Sequence, residues 1–482
     1  MARLAIIGAG PKGAAIAAKA AALRAANHRT PPPHIDLYDQ DQVGAAWRGS
    51  IGYTDGVQPL CTLAERDLGF PYDTASYGPG VAQAMIGDFS WQSFAINSAG
   101  RSRYRDWVVN GRHPPRHIDF ADYLEYAVDK AVSQGAATLI PDRVSAVGFD
   151  DAARTWRIDS TNSNGGITSN DYDGVVITGS GRPLPALDGA NGRVFDGRTF
   201  WQPASSRRMR DLLSADPDPS VLIIGAGGTA AAIAYSFVRK GLTTLPITII
   251  GREATLFARH DGPFEDRLFT DDDAWKALPP HVREAFLART TAAVVWDYVL
   301  RNLVSDNITY ECYNALRYHP VVPGAPGDPE LELEMEAPPD PALATTSAPT
   351  WKRWVGAVLP SLGPPPFPGV GGTPAPPIVR RPGTVIIDAR GFDRWGFADD
   401  FFAPTPPLRD FFADKDRRPQ ILSQIAFDLS VRGPLAGGAD FPPRLHVPGL
   451  GAIQGPASTN LMGLGWVADR VLSAYCQRGL EQ

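Results

Sequence analysis

The first forty residues constrain the fold more than any other part of the chain. A short apolar run, residues 3–7, is followed by Gly8, Gly10 and Gly13 and then by an Ala-rich segment that ends near residue 26. This order predicts a strand, a glycine turn and a helix. Gly8 permits a tight turn, Gly10 lets a ligand approach the backbone, and Gly13 lets the helix lie close to the strand. Such a unit is typical of a dinucleotide-binding fold.

A second strand-like run, residues 35–39, ends in the acidic residue Asp39. In dinucleotide-binding folds a carboxylate at this place hydrogen-bonds a ribose hydroxyl. The pyrophosphate lies at the helix N-terminus, where free N–H groups favour an anion. The opening segment is therefore predicted to bind a dinucleotide, and a tight glycine turn without a ligand is the alternative.

The same pattern occurs again near the middle of the chain. An apolar run, residues 220–224, precedes Gly225 and Gly227, while Ala230 replaces the third glycine. The second strand of this unit is followed by Arg252 instead of an acid. An arginine there suits a 2′-phosphate, whereas a solvated surface charge is the alternative. We therefore predict FAD at the first unit and NADPH at the second.

The two units predict an α/β protein with two Rossmann-like dinucleotide-binding domains, one for FAD and one for NADPH, and a small helical substrate region. The expected FAD-binding domain begins with residues 1–215, and the NADPH-binding domain with substrate-site helices covers 216–317. A Pro-rich, mostly irregular insertion is expected over 318–382. Residues 383–482 are expected to return to the FAD domain and cover the flavin.

Composition argues against several classes of protein. The net charge of -6 disfavours a nucleic-acid surface, and no apolar run is long enough to span a membrane. The three cysteines are far apart and form no CxxC pair, which fits reduced thiols and not a disulfide framework or a zinc site. The eight histidines form no triad or ligand cluster. The expectation is a soluble cytoplasmic protein without a signal peptide, membrane span or metal.

Two dinucleotide units in one chain imply hydride transfer from the nicotinamide to the flavin. A disulfide reductase would need a cysteine pair beside the flavin, and reduction of a protein partner would favour a charged exposed patch; the sequence has neither. The remaining electron acceptor is O2. Reduced flavin and O2 give a C4a-hydroperoxide, whose distal oxygen passes to a bound nucleophile. The protein then has to orient the reactants and exclude water.

Several loops match a known family more specifically than the glycine turns do. The matching stretches are residues 8–13, 19–24, 54–56, 65–72, 89–94, 225–230 and 460–471. With them the chain resembles the flavin-dependent N-hydroxylating monooxygenases, the lysine and ornithine N-monooxygenases of siderophore biosynthesis. Among these it is most similar to the mycobactin-type lysine N-oxygenases. The resemblance covers nearly the whole chain except the Pro-rich insertion.

The residues and the resemblance together give a set of predicted cofactor-binding residues. They are Gly8, Gly10, Pro11, Lys12, Gly13, Asp39, Gln40, Trp47, Trp91, Gln92, Gly225, Gly227, Gly228, Thr229, Arg252, Asn460 and Leu461. Asn460 is also predicted to contact the substrate. No side chain is assigned a catalytic role, because the chemistry belongs to the cofactor.

The resemblance also implies a substrate site. Arg66 stands where the family has a lysine that binds the substrate carboxylate, and an arginine can bind a carboxylate through two parallel hydrogen bonds. An ion pair with Asp67 or Glu65 is the alternative. Asp266 and Thr291 stand where the family has asparagines. Asp266 would pair with a cationic amine or cap a helix.

The predicted activity is hydroxylation of the terminal amine of lysine, or of a lysine-like amine, with NADPH and O2 through a C4a-hydroperoxyflavin. The product would serve siderophore or related natural-product biosynthesis. One alternative is a flavin monooxygenase acting on another amine, a ketone or a thioether, although the FxGxxxHxxxW fingerprint of the Baeyer–Villiger class is absent. Another is a non-catalytic FAD/NADP-binding protein. The exact amine stays open, and so does assembly into a homo-oligomer.

Overall fold

The computed structural model of this chain describes residues 1–49, 54–97, 102–179, 181–242, 244–253, 255–259, 262–290, 294–303, 307–321, 329–337, 378–435 and 438–476 of the 482. The predicted substrate residue Thr291 lies outside the described residues. So do residues 322–328 and 338–377, which make up most of the predicted Pro-rich insertion.

The described part of the chain contains both strands and helices. The strands are β1 Arg3–Ile7, β2 His34–Tyr38, β3 Ala137–Ile140, β4 Arg143–Asp150, β5 Thr155–Thr161, β6 Ile167–Tyr172, β7 Gly174–Ile177, β8 Val194–Asp196, β9 Val221–Ile224, β10 Ile247–Gly251, β11 Phe257–Arg259, β12 Val294–Trp296, β13 Ile308–Cys312, β14 Asn314–Pro320, β15 Leu331–Glu336, β16 Ile378–Gly383, β17 Val385–Asp388 and β18 Leu445–His446. The helices are α1 Pro11–Ala25, α2 Thr74–Tyr77, α3 Pro79–Phe89, α4 Trp91–Asn97, α5 Ser102–Val109, α6 His117–Ser133, α7 Pro203–Ala215, α8 Gly228–Arg239, α9 Pro263–Arg267, α10 Asp272–Ala277, α11 Pro280–Thr290, α12 Asp297–Asn302, α13 Phe397–Phe401, α14 Pro406–Ala413, α15 Arg418–Ser423 and α16 Leu464–Leu472. Within the described ranges, no helix has the length and apolar character that crossing a membrane requires.

The first sheet is parallel and has the strand order β18-β7-β1-β2-β3. β1 lies between β2 and β7, with Ile7 opposite both Tyr38 and Ile177. Leu4 and Ile6 are fully buried, as expected for a parallel strand covered on both faces. This sheet and α1 form the first Rossmann-like unit.

The second sheet is also parallel, with the order β13-β10-β9-β17-β8. The strand before the second glycine turn, β9, lies between β10 and β17, and its Ile224 is opposite Ile250 and Asp388. The predicted α/β fold with two Rossmann-like domains is therefore confirmed.

The strand pairing corrects two expected domain boundaries. Val194–Asp196 precedes residue 216, and Val385–Asp388 follows residue 382, yet both strands belong to the second sheet. After the predicted insertion the chain therefore returns first to the second domain, because β17 pairs directly with β9. It rejoins the first sheet only at Leu445–His446, which pairs with β7.

Part of the predicted irregular insertion is regular structure. Leu331–Glu336 and Ile378–Gly383 form an antiparallel three-stranded sheet with Asn314–Pro320. Leu331, Leu333 and Met335 are buried and pack with residues of the second sheet. The alternating pattern Leu-Glu-Leu-Glu-Met-Glu is a strand signal. Within the insertion that was predicted to be mostly irregular, β15 and β16 are therefore regular strands.

The C-terminal helix α16 packs against α1. Lys19 and Asp469 form a buried ion pair between these helices, with 2.7 Å between Nζ and Oδ1. The alanine residues of α1 are small, so the two helices can approach closely. Because α1 begins at the first glycine turn, this packing holds the C-terminal segment beside that turn.

Candidate dinucleotide and substrate site

The first glycine turn has the geometry that its sequence predicts. Gly8 has φ +107°, a conformation that favours glycine. A Cβ atom at Gly13 would lie within 3.0 Å of the Gly8 carbonyl oxygen, whereas a Cβ atom at Gly10 would have no neighbour within 4 Å. Gly13 is thus required by helix–strand packing, and Gly10 leaves open space where a ligand can approach.

Asp39 stabilises the same turn from the end of β2. Its Oδ2 accepts a hydrogen bond from the Ala9 backbone N–H at 2.8 Å, and its Oδ1 accepts one from the Asp41 N–H at 3.1 Å. Burial raises the pKa of Asp39, and these hydrogen bonds oppose that effect. Asp39 and the exposed Gln40 lie beside the turn. Binding of ribose by Asp39 and binding of the cofactor by Gln40 stay predictions.

The second turn repeats this arrangement. Gly225 has φ +128°, and a Cβ atom there would lie within 3.0 Å of the Ala389 carbonyl oxygen. Gly227 is the N-cap of α8. The buried Ala230 replaces the third glycine. Arg252 is exposed just after β10, where it can meet a ligand at the edge of the sheet.

One cavity of about 690 Å³ reaches both glycine turns. Its lining includes nine of the predicted residues, namely Gly8, Gly10, Pro11, Lys12, Trp47, Gly228, Thr229, Asn460 and Leu461. The predicted residues Gly13, Asp39, Gln40, Trp91, Gln92, Gly225, Gly227, Arg252, Arg66 and Asp266 are not among the described lining residues. The structure therefore brings the two dinucleotide turns and the C-terminal segment 459–461 to a single space.

Trp91 and Gln92 lie away from this cavity. Trp91 is 3% exposed and packs with Phe94 and Tyr123 in the core of the first domain. Gln92 is exposed on the surface. The amphipathic character of α4 explains both positions, because successive residues of a helix point in different directions. Their predicted role at the cofactor has no support from the cavity.

His117 is a cavity residue that the sequence analysis did not select. It is the first residue of α6, its ring lies edge-on to Trp47 with 4.7 Å between ring centroids, and both side chains line the cavity. Its Nδ1 is 2.8 Å from Thr54 Oγ1. Burial lowers the pKa of His117 to about 4, so the imidazole is neutral at pH 7. Because Thr54 is 63 positions away, no local sequence signal indicates this pair.

Arg394 also lines the cavity and was missed. It lies in the loop that follows β17. Ligands of parallel α/β sheets bind beyond the carboxyl ends of the strands. The apolar run 385–387 is a strand signal in the sequence, so this rule could have marked the loop after it as a ligand-binding segment.

Two predicted substrate residues contact each other. Arg66 Nη2 donates to Asp266 Oδ2 at 2.5 Å, and the two side chains are only 14% and 10% exposed. Asp266 Oδ2 also accepts a hydrogen bond from the Gly262 N–H at 3.1 Å, so it caps the start of α9. Among the described residues, Asp266 therefore pairs with the Arg66 guanidinium.

Asp67 holds the loop that carries Arg66. This buried carboxylate accepts hydrogen bonds from the Tyr72 hydroxyl at 2.6 Å, from the Trp91 N–H at 2.7 Å and from the Gly69 N–H at 3.1 Å. Burial raises the pKa of Asp67 to about 6 despite these bonds. Asp67 therefore organises the loop, while Arg66 reaches across to α9.

The polar groups of the cavity fit a dinucleotide. Gln58 Oε1 and Asn460 Nδ2 are buried and have no hydrogen-bond partner among the described residues, although buried polar atoms normally have one. Burial also lowers the pKa of Lys12 to about 8, and a nearby phosphate would favour its charged form. A ligand with phosphates and polar ring edges would satisfy all three groups. The described residues contain no His, Cys, Asp or Glu cluster suited to a metal ion.

Comparison with known proteins agrees with this geometry. L-lysine N6-monooxygenase MbtG of Mycobacterium tuberculosis is 30% identical over 478 residues, which cover 98% of this chain and 94% of the relative. This chain belongs to the L-lysine 6-monooxygenase/L-ornithine 5-monooxygenase family. The sequence model of this family matches residues 88–317. The predicted resemblance to lysine and ornithine N-monooxygenases is thus confirmed.

Solved structures of other monooxygenases share the fold of this chain. The lysine monooxygenase NbtG of Nocardia farcinica, described with an unprecedented NADPH domain conformation, is 26% identical with a TM-score of 0.70 and covers 98% of this chain and 100% of its own. The cadaverine monooxygenase DfoA of Erwinia amylovora is 14% identical with a TM-score of 0.65 and covers 99% and 94%. The fold of this chain is therefore shared with monooxygenases of low sequence identity.

Proposed function

We propose that this protein is an FAD- and NADPH-dependent monooxygenase that hydroxylates the terminal amine of L-lysine in siderophore biosynthesis. The observation that carries the proposal is the single cavity that reaches both dinucleotide turns. A shared cavity lets a nicotinamide and a flavin meet, which hydride transfer requires. The 30% identity to a lysine N6-monooxygenase over nearly the full length supports the same activity and the same amine.

Each glycine turn is assigned one cofactor. Gly8, Gly10 and Lys12 would hold FAD at the N-terminus of α1, and Gly228 and Thr229 would hold NADPH at the N-terminus of α8. Arg252 would bind the 2′-phosphate. When bound, FAD supplies the redox chemistry and the activation of O2.

The protein's own contribution is orientation and exclusion of water. Ile7, Ile177, Val295 and Val299 give the cavity an apolar lining, which favours the neutral form of an amine over the ammonium. A neutral amine is the form with a free electron pair for reaction. His117 is neutral at pH 7 because burial lowers its pKa to about 4, so it adds no positive charge that would repel a substrate.

Arg66 and Asp266 are proposed to set the substrate's head group. Arg66 would contact the carboxylate of lysine, but the Asp266 carboxylate already pairs with the guanidinium. Asn460 lines the cavity, and its predicted contact with the substrate would be made there. A second carboxylate beside Asp266 meets repulsion from a like charge. This observation favours a terminal diamine as a second candidate substrate, because a diamine has no carboxylate to place there.

We also propose a cytoplasmic location, with a small-molecule amine and O2 as the reactants. Cys61, Cys312 and Cys476 form no disulfide with one another, which suits a reducing compartment.

The test is NADPH oxidation by the FAD-loaded protein against L-lysine, L-ornithine and cadaverine, with hydroxylamine and hydrogen peroxide measured separately. Hydroxylamine from L-lysine with little peroxide is expected. Hydroxylamine formed only from cadaverine would show that the substrate is the diamine and not lysine. NADPH oxidation that yields only peroxide with all three amines would refute the proposed N-hydroxylation of these substrates.

A further inference from the structure

Arg394 lies where the two dinucleotide domains meet. Its loop follows β17 and begins at Ala389, whose carbonyl oxygen faces Gly225 of the second glycine turn. The same loop reaches the first domain's side of the cavity, where the Asp393 N–H donates to the Arg182 carbonyl oxygen at 2.8 Å. The loop therefore passes between the ends of β9 and β7, at the edge where both nucleotides are expected.

The charge of Arg394 has no acidic partner in the described part of the chain. Its side chain lines the cavity, and its guanidinium makes no hydrogen bond or ion pair with another described residue. Arg390 in the same loop differs, because its Nε donates to Asp388 Oδ1 at 2.8 Å. Asp400, a carboxylate of the lining, lies 3.7 Å from Arg182 instead.

A like charge lies close to Arg394. Arg418 packs over the neighbouring Trp395 ring at 4.9 Å. Burial, and then the charge of Arg418, lower the pKa of Arg394. An arginine that is crowded by another cation and lacks an acid is stabilised by a bound anion. The cavity itself is the place from which such an anion can reach it.

We propose that Arg394 binds the pyrophosphate of NADPH. This inference rests on the NADPH assignment above. The planar guanidinium can donate two parallel hydrogen bonds to phosphate oxygens, and the N-terminus of α8 offers backbone N–H groups to the same anion.

The strand order separates this role from that of Arg252. β9 lies between β10 and β17, so Arg252 after β10 and Arg394 after β17 flank the glycine turn on opposite sides. Arg252 is assigned to the 2′-phosphate, so Arg394 on the other side of the turn is assigned to the pyrophosphate. Lys12 lies at the first turn and serves the other dinucleotide.

The test measures equilibrium binding of NADP⁺ and NAD⁺ to FAD-loaded protein by ultrafiltration. Arg394→Gln should raise Kd for both coenzymes by a similar factor, about 10- to 100-fold, because the pyrophosphate is common to both. Arg394→Lys, which keeps the positive charge but cannot donate two parallel hydrogen bonds, should recover part of the affinity. Arg409→Gln is the matched control, since Arg409 pairs with Asp410 outside the cavity lining.

FAD content and Tm should be unchanged in Arg394→Gln. An NADP⁺ Kd within about twofold of wild type would overturn the proposal, and so would a Kd increase confined to NADP⁺, which indicates 2′-phosphate binding. If Arg394→Gln does not fold, a folded Arg394→Lys with wild-type Kd for both coenzymes would overturn it. The binding measurement needs no amine. Weaker binding of both NADP⁺ and NAD⁺ by Arg394→Gln therefore supports the proposal even if the wild type hydroxylates no tested amine.

Discussion

Asp266 limits how strongly Arg66 can bind a second carboxylate, because its Oδ2 lies 2.5 Å from the guanidinium. Asp266→Asn removes the negative charge but keeps an oxygen that can accept from the Gly262 N–H. We expect the KM for L-lysine to fall about 3- to 10-fold in this variant, with little change for cadaverine. Steady-state kinetics with both amines measure the difference.

The control for this experiment is Glu265→Gln, the neighbouring residue on α9. Glu265 pairs with Arg289 at 2.9 Å and not with Arg66, so its substitution should leave the preference between lysine and cadaverine unchanged. If Asp266→Asn left that preference unchanged as well, the ion pair would have no part in selecting the head group.

His117 gives the protein a pH dependence of known sign. Its pKa is about 4 in the folded state and about 6.5 in an unfolded chain. The unfolded state therefore takes up the proton first, and stability falls as the pH falls from 6.5 toward 4. In His117→Asn the loss of Tm between pH 7 and pH 5 should be smaller than in wild type by about 2–4 °C. Thermal unfolding of the apoprotein measures it.

Asp67 acts in the opposite direction in part of this range. Its folded pKa of about 6 is above its ordinary value, so its contribution to stability is lost as the pH rises through 6. Asp67 is present in both proteins, and its effect cancels in the comparison. His281→Asn, at an exposed position, is the control. An equal pH dependence in wild type and His117→Asn would contradict the low pKa of His117.

At the scale of elements, the first strand–turn–helix unit contains two glycines with separable roles. Gly10→Val should leave the Tm of the apoprotein nearly unchanged, because a Cβ atom there meets nothing within 4 Å. It should lower FAD affinity at least about 10-fold, since the side chain would occupy ligand space. Gly13→Val should lower both FAD affinity and Tm, because its Cβ would clash with the Gly8 carbonyl.

Flavin absorbance relative to protein absorbance and thermal unfolding of the apoproteins distinguish the two variants. A Gly10→Val protein with a full complement of FAD would show that the cofactor does not approach the first turn. A Gly13→Val protein with wild-type Tm would show that α1 can shift away from β1 at little cost.

At the scale of the whole molecule, the two domains are joined beside the cavity. Arg239 at the end of α8 pairs with Asp55, and Gln58 Nε2 donates to the Ala232 carbonyl oxygen of α8 at 2.9 Å. α8 begins at the second glycine turn, so these contacts fix that turn relative to the loop beside Thr54. The position of the second glycine turn against the first domain therefore depends on them.

Arg239→Gln should raise the KM for NADPH about threefold and increase the share of peroxide, with FAD content unchanged. The size follows from a partly exposed ion pair, which contributes about 0.2–1 kcal/mol. Lys240→Gln, an exposed neighbour without an ion-pair partner among the described residues, should behave like wild type. Wild-type coupling of NADPH oxidation to hydroxylamine in Arg239→Gln would show that this contact does not position the NADPH domain.

The sequence alone determined the local units and the class of the protein. A glycine turn can be recognised from neighbouring residues, because each glycine is required by the sterics of that turn. Gly8 and Gly13 are examples. Both Rossmann-like units, their cofactors and the family followed from such short stretches. The missed strand Leu331–Glu336 also had a local signal, its alternating apolar and acidic residues. The many prolines around it favoured the interpretation as irregular chain.

Which distant residues contact each other depends on the packing of the whole chain. Arg66 and Asp266 contact each other although they are 200 positions apart. β17 joins the second sheet through hydrogen bonds to β9. No spacing in the sequence specifies either of these contacts. The same folding put Trp91 into the core and brought His117 and Arg394 to the cavity. The physical reason is that local sequence fixes backbone conformation within an element, whereas side-chain partners depend on how distant elements pack.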